Sequence, residues 1–180
     1  MVKSSIGIKE GWLHNSKEES RYEVFHLFQE YVGNKRNVLW LLERVLVKLQ
    51  IPFVNRTRYS HIRFEGGPQW FCITHAFCEY VLSKEKWIYK TFNYSECCDE
   101  VFLQTLLVNS DFYSNIYMPG NDQYVQCCRL IDWKRGRPYI WRSNDFEEIM
   151  NSKAWFARKF STSVDGGIVN KIYDTIKYLK

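Results

Sequence analysis

The chain has 180 residues, and its 46% hydrophobic and 25% charged residues are an ordinary balance for a globular domain with a real core. Its net charge of +5 is compatible with a phosphate-bearing ligand, a membrane surface or nucleic acid and selects none of them. No apolar run is long enough to span a bilayer, and the six cysteines form no C-x-x-C pair that would indicate zinc. We predict a single domain over residues 1–180, in the cytoplasm and with reduced thiols, because no signal peptide is recognisable.

The amino-terminal segment predicts one clear helix. Residues 1–20 show no periodicity and are expected to be irregular, whereas residues 21–31 could be helical or extended. Residues 35–50 have the apolar spacing of an amphipathic helix, and Pro52 ends it because the residue before a proline disfavours helix. This helix could lie on a membrane surface, but we favour packing against the domain.

The next segment predicts two short strands and a helix. The strands cover residues 62–64 and 70–73, and the Gly-Gly-Pro run at 66–68 forms a turn between them. Thr74 then caps a helix that continues to Ser83.

A helix predicted at 97–109 begins with an acidic pair, Asp99 and Glu100. Apolar residues follow at the spacing that anchors a helix in a core, and Ser95 or a residue just after it can cap the start. A general base is usually a carboxylate held at the end of a rigid element. The plainer interpretation is that both acids only complement the helix dipole.

The carboxyl-terminal part predicts alternating elements around a basic, aromatic loop. In order, these are a loop at 112–123, a strand at 124–132, the basic loop at 133–142, a helix at 145–151 and an amphipathic helix at 165–179. Asn144 with Glu147 fits a capping box for the helix at 145–151. This mixture of helices and strands indicates an α/β or α+β domain, with a C-terminal helix within 161–180.

Three segments in order carry a family pattern: GGPQWFCITHAFCEYVL at 66–82, DEVFLQTLLVNS at 99–110 and RLIDWKRGRPYIWRSNDFEEIMNSKAWFARKF at 129–160. Together they resemble the carboxyl-terminal half of the core-2/I-branching β-1,6-N-acetylglucosaminyltransferases and their peptide O-xylosyltransferase relatives, glycosyltransferase family 14. The resemblance is closest to the compact bacterial members, and it is weaker at KEESRYEVF (17–25). Each motif alone is weak, but their order is specific.

The resemblance implies an α/β fold of the GT-A type, with a mixed sheet flanked by helices, and inverting transfer from a nucleotide-sugar donor without a metal ion. Within the shared motifs, Glu100 matches the catalytic base, Lys159 the contact with the donor diphosphate and Trp133 a position near the acceptor sugar. A diphosphate-binding arginine belongs in the loop after Trp133, where Arg135 and Arg137 both stand, and the sequence does not choose between them.

The chemistry of sugar transfer suits these residue types. An attacking hydroxyl loses a proton, which a carboxylate such as Glu100 can accept, with Asp99 as its neighbour on the acceptor side. Negative charge grows on the leaving diphosphate. Because no D-x-D metal motif is present, Lys159 and Arg158 can supply fixed positive charge together with the loop arginines.

Four aromatic residues have two interpretations each, stacking on a sugar or packing in the protein. Both interpretations stay open for Trp133, whereas Tyr139 and Trp141 are expected to pack in the core. Trp70 could line the acceptor cleft, or the glycines before it could simply permit a turn.

The resemblance implies that family members begin with a nucleotide-binding half, which we expect to be missing from this sequence. We therefore expect an acceptor-side region over 21–160, preceded by an irregular junction at 1–20. Such a chain could be a fragment or an inactive truncated form. An uncovered sheet edge would favour self-association.

The predicted function is transfer of N-acetylglucosamine or xylose from a UDP-sugar to a hydroxyl of a glycan or glycoprotein, with no cofactor and no nucleic-acid partner. Contact with a membrane surface is a further interpretation. The basic and aromatic run RLIDWKRGRPYIWR at 129–142 is the basis of one alternative, a nucleic-acid-binding module. A non-catalytic interaction domain is the other.

Overall fold

A computed structural model describes residues 3–10, 13, 16–32, 37–58 and 60–177. The chain divides into two compact units, Met1–Tyr117 and Met118–Lys180. Both mix helices with short strands, which confirms the α/β class, although the described strands pair into separate two-stranded sheets and not into one mixed sheet. The single domain over 1–180 stays a prediction.

The first unit is mainly helical. Its helices are α1 (Ser16–Glu23), α2 (Gln29–Val32), α3 (Val38–Gln50), α4 (His75–Ser83), α5 (Glu85–Phe92) and α6 (Phe102–Val108). Strands β1 (Ser5–Ile6) and β2 (Phe71–Cys72) pair antiparallel. Strand β2 and helix α4 confirm the predictions at 70–73 and 74–83, whereas β1 lies in the segment expected to be irregular.

The strand predicted at 62–64 is wrong, because side chains at the end of α6 bind the main chain that a partner strand would have bound. The Asn109 side chain accepts a hydrogen bond from the Arg63 N–H at 3.1 Å and donates to the Arg63 carbonyl at 2.7 Å. The Thr105 hydroxyl bonds the N–H and the carbonyl of Glu65 at 3.2 and 3.1 Å. These backbone groups are satisfied without a ladder.

Two clusters of buried apolar side chains form the core of the first unit. One consists of Ile6, Ile8, Phe77, Leu103, Leu107 and Ile116. The other consists of Leu13, Tyr22, Phe64, Phe92 and Val101. Because Val101 directly follows Glu100, the second cluster anchors the chain next to the predicted base.

Helix α3 confirms the amphipathic helix predicted at 35–50, whose first two residues lie outside the described part of the chain. Asn37 caps it by accepting the Trp40 N–H at 3.0 Å, and it ends at Gln50, before Pro52. The favoured packing of this helix against the domain is wrong for its apolar side, since most of its leucines and valines are exposed.

The second unit contains a short parallel sheet. Its helices are α7 (Gln123–Gln126), α8 (Phe146–Met150), α9 (Thr162–Asp165) and α10 (Gly167–Ile176). Strands β3 (Arg129–Ile131) and β4 (Phe156–Arg158) pair in parallel. The strand predicted at 124–132 is confirmed only for the residues of β3. Its first residues are helical instead, because Asp122 accepts the Tyr124 N–H at 2.9 Å and caps α7.

Helix α8 confirms the helix predicted at 145–151, but no side-chain hydrogen bond caps it. Asp145 accepts the Arg142 N–H at 2.9 Å, so the predicted pair of Asn144 and Glu147 does not form the capping box. Helices α8 and α10 enclose the core of this unit. That core consists of Trp141, Phe146, Ile149 and Ile168.

The helix predicted at 165–179 is interrupted at Gly166, where α9 ends and α10 begins. Asp165 accepts the Ser143 N–H at 2.7 Å and the Ile168 N–H at 3.2 Å. These hydrogen bonds, the one from Ser143 first, hold the pKa of Asp165 below its ordinary value. Leu179, the last apolar position of the prediction, lies outside the described residues.

Candidate functional site

Glu100 lies in a 3-10 turn, Cys98–Glu100, and not in the first turn of a helix as predicted. Helix α6 begins at Phe102 without a side-chain cap, so the predicted cap at Ser95 is wrong as well. Cys97, with a φ of 49°, precedes this turn, and Val101, with a φ of −129°, separates it from α6, so the two do not form one continuous helix. The position of Glu100 therefore depends on contacts with distant parts of the chain.

Two such contacts hold Glu100. Arg21 in α1 donates from Nη2 to Glu100 Oε2 at 3.0 Å, and the Gly67 N–H donates to the Glu100 carbonyl at 2.9 Å. The Glu100 side chain is 33% exposed. No hydrogen bond among the described residues uses Oε1. One carboxylate oxygen is thus anchored, and the other can meet a ligand.

Arg21 is the cation that orients this carboxylate. It also lies 3.3 Å, nitrogen to oxygen, from Glu18 of its own helix. Burial lowers the pKa of Arg21, but its hydrogen bonds to Glu100 and Cys97, together with their charges, outweigh burial and raise that pKa. We assigned Arg21 no role from the sequence. The only signal for it is the weak similarity at 17–25.

Gly67 is required because another part of the main chain passes close to it. A Cβ at this position would lie 2.1 Å from the Gly7 carbonyl oxygen. The fully buried Gln104 joins the same segments, donating to the Pro68 carbonyl at 3.0 Å and to the Gly7 carbonyl at 3.4 Å. The glycine thus permits the close packing that holds the backbone of Glu100, and does more than form a turn.

We expect Gly67→Ala to lower the free energy of unfolding by about 1–3 kcal/mol, because an added methyl group forces closely packed main chain apart. Gly166→Ala is the matched control, since its Cβ would meet nothing closer than 3.7 Å at a φ of −77°. Urea denaturation of both variants measures the difference. Equal stabilities would show that the chain around Gly67 shifts freely.

Asp99 and Trp70, the other predicted groups of the first unit, differ in exposure. Asp99 is exposed beside Glu100 in the 3-10 turn, and Trp70 is half-buried immediately before β2. Asp99 is therefore the more accessible of the two to an acceptor. Contact of either with an acceptor stays a prediction.

Arg135 is surrounded by three carboxylates of the second unit. Its guanidinium hydrogen-bonds Asp132, Asp145 at 3.0 Å and Glu148 at 2.8 Å, and lies 4.4 Å from the centre of the Tyr139 ring. The hydrogen bond between Arg135 and Asp132 lowers the pKa of the carboxyl group and raises that of the guanidinium. Because three negative charges surround one positive charge, this place does not favour a diphosphate.

Arg137 and Lys159 are exposed, as Arg135 is, but unlike Arg135 they form no ion pair among the described residues. Arg158 is half-buried in β4, directly before Lys159. Trp133 is 45% exposed, and its ring centre lies 6.1 Å from that of Tyr124. The second unit therefore presents accessible cations and an accessible aromatic face.

Trp141 is a core residue, as predicted. Its side chain is fully buried, and its indole N–H donates to the Arg158 carbonyl at 2.7 Å. Its main-chain N–H donates to the Lys159 carbonyl at 2.9 Å, and its ring meets Tyr139 edge to face with centres 5.6 Å apart. Trp141 thus holds the segment that carries both predicted cations.

The basic and aromatic run at 129–142 does not form a continuous surface. Trp141 is buried, and Arg135 is bound to carboxylates. The interleaved rings and cations that a single strand of nucleic acid would need are therefore partly inaccessible. This arrangement does not support the nucleic-acid alternative.

No group of three or more His, Cys, Asp or Glu side chains in the described ranges is placed to hold a metal ion. None of the helices described here has both the length and the apolar character needed to cross a membrane. All six cysteines are free, and burial raises the pKa of the Cys127 thiol to about 11. Metal independence and the cytoplasmic location stay predictions.

Comparison with known proteins gives one result. A family model described as Branch: Core-2/I-Branching enzyme matches residues 13–153, well over half of the chain. Arg21, Gly67 and Glu100 lie within the matched part, whereas Arg158 and Lys159 lie beyond it. No curated protein matches the chain.

Proposed function

The chain belongs to the Core-2/I-branching enzyme family, as its motifs predicted, and on this basis we propose that it transfers N-acetylglucosamine or xylose from a UDP-sugar to a hydroxyl group. Membership of this family implies glycosyltransferase activity. The donor, the glycan or glycoprotein acceptor and the inverting course are part of the proposal. The observation that carries it is the Glu100 carboxylate, anchored through Oε2 with Oε1 not hydrogen-bonded to any described residue.

In the proposed step, the acceptor hydroxyl gives its proton to Glu100 Oε1 while its oxygen forms a bond to the anomeric carbon. The bond from that carbon to the diphosphate breaks, and UDP leaves with the bonding electron pair. Attack from the face opposite the leaving group inverts the anomeric configuration. Arg21 holds the carboxylate in one orientation during this transfer, which is what a general base requires.

Charge on the leaving diphosphate is stabilised, in this proposal, by Lys159 and Arg137, with Arg158 beside them. Fixed cations can do this work without a metal ion. Arg135 has a structural role in this proposal, because its ion pairs with three carboxylates hold the loop at 133–142 in place. Of the two loop arginines that the sequence left open, we therefore propose Arg137 as the contact with the diphosphate.

Trp133 is the proposed contact with the acceptor sugar. Its exposed ring next to Tyr124 gives a flat apolar face on which a sugar ring can stack. Asp99 and Trp70 are the further acceptor-side groups of the proposal, because they flank the segments that hold Glu100.

Lys159→Gln is expected to lower kcat/KM for the UDP-sugar by about 10- to 100-fold, because on this proposal it removes one charge that stabilises the leaving diphosphate. Release of UDP at several donor concentrations measures the effect. Lys153→Gln is the matched control, since it removes another exposed lysine of the same unit. Equal kcat/KM values for the two variants would refute the role of Lys159.

A further inference from the structure

Helix α3 carries an exposed apolar stripe. We use this name for Val38, Leu41, Leu42, Val45 and Leu49. Their spacing puts them on one face of the helix, and every one of them is exposed, Val38 to 81% and Leu49 to 62%. Just beyond the helix, Phe53 is 87% exposed and extends the apolar surface.

The helix is attached to its unit by the opposite face, largely through polar contacts. The Gln50 amide accepts from the Phe25 N–H and donates to the Phe25 carbonyl, both at 2.9 Å. Glu43 accepts the Phe28 N–H at 3.0 Å, and Val47 is the buried apolar residue on this side. The stripe therefore contributes little to the packing of the unit, which is the reverse of the usual orientation of an amphipathic helix.

The net positive charge of the sequence falls in the segment that contains this helix. Residues 35–58 contain six lysines and arginines and one acid, so this segment carries a charge of +5, equal to that of the whole chain. Acids and bases balance in the remainder. On the helix itself, Arg44 and Lys48 lie along one edge of the stripe, and the one acid, Glu43, is buried on the other face.

We propose that α3 is a membrane-docking helix whose apolar stripe enters the surface of an anionic lipid bilayer. Arg44 and Lys48, both exposed beside the stripe, would meet the acidic headgroups, and each such residue near the surface strengthens binding. With thirteen residues, α3 is about 20 Å long, too short to cross the hydrocarbon core, so it lies in the interface. A second copy of the chain is a poorer partner, because a symmetric contact would place two such positive segments against each other.

Co-sedimentation of the full chain with lipid vesicles tests this proposal. We expect binding to an equal mixture of phosphatidylcholine and phosphatidylserine, weakened by salt, and about tenfold weaker binding to phosphatidylcholine alone. The combined substitutions Leu41→Gln, Val45→Gln and Leu49→Gln should reduce the partition coefficient by at least about tenfold. Leu82→Gln is the matched control, because Leu82 is a comparably exposed leucine of another helix, at 69%.

Lys48→Glu is a second, milder variant that tests the membrane-docking proposal if the triple variant does not fold. It should weaken binding to the mixed vesicles and leave binding to phosphatidylcholine unchanged. Failure of the unaltered chain to bind either vesicle, or binding that neither variant weakens, would overturn the proposal. So would a dimer in analytical ultracentrifugation that the triple variant dissociates, since the stripe would then be a contact between copies.

Discussion

Replacing Glu100 with glutamine is expected to lower the kcat of sugar transfer by about 10²–10⁴-fold, because an amide does not take the proton of the acceptor hydroxyl. Glutamine keeps the length of the side chain, and its carbonyl oxygen can still accept the hydrogen bond of Arg21. The KM for the donor should therefore change little. Release of UDP from UDP-N-acetylglucosamine and from UDP-xylose, with glycan and peptide acceptors, measures the loss.

Glu18→Gln is the matched control for this variant, because it also removes a carboxylate that lies against Arg21. If activity were lost only because Arg21 lacked a negative partner, both variants would lose it. We expect Glu18→Gln to keep most of the activity. Full activity of Glu100→Gln would refute the assignment of Glu100 as the general base. If the unaltered chain released no UDP, the alternative of a non-catalytic interaction domain would be favoured.

Replacing Trp141 with alanine is expected to lower the free energy of unfolding of the second unit by about 3–5 kcal/mol, the usual cost of removing a large buried aromatic side chain. The indole is fully buried against Phe146, Ile149 and Ile168. Its N–H also donates to the Arg158 carbonyl, which would lose this partner. Both the cavity and the loss of this hydrogen bond destabilise the variant.

Urea unfolding followed by circular dichroism measures this effect, with Trp155→Ala as the matched control because that tryptophan is 59% exposed. Trp141→Phe keeps most of the packing and loses the indole N–H, so it should cost about 1–3 kcal/mol. Since the Trp141 main chain also binds the Lys159 carbonyl, we expect the alanine variant to lose donor affinity as it loses stability. If Trp141→Ala lowered the free energy of unfolding no more than Trp155→Ala does, the packing role of Trp141 would be contradicted.

Elements with strong local signals were predictable from the sequence. Thr74 accepts the Phe77 N–H and starts α4 as predicted, because an N-cap is decided by residues within one turn. The same holds for the end of α3 before Pro52. The family was also predictable, since its motifs keep their order along the chain, and the match over 13–153 confirms it.

Predictions failed where a distant residue supplied the decisive contact. The strand at 62–64 does not form, since Asn109 binds the main chain of Arg63 from 46 residues away and Thr105 binds that of Glu65 from 40 residues away. Glu100 lies in a 3-10 turn because Gly67 and Arg21 hold it, and Arg21 is 79 residues from it in sequence. Such pairings leave no local pattern that a single sequence can show.

The sequence by itself determined the α/β class, the family and the residue types able to move a proton and receive a diphosphate. Only the tertiary structure decided which of these side chains are accessible: Arg135 is bound by carboxylates, Trp141 is buried, and Glu100 keeps one oxygen without a described partner. It also decided that the apolar stripe of α3 faces outward. The physical reason is that periodicity shows that a helix has an apolar side, whereas the contacts of its other side decide which one is buried.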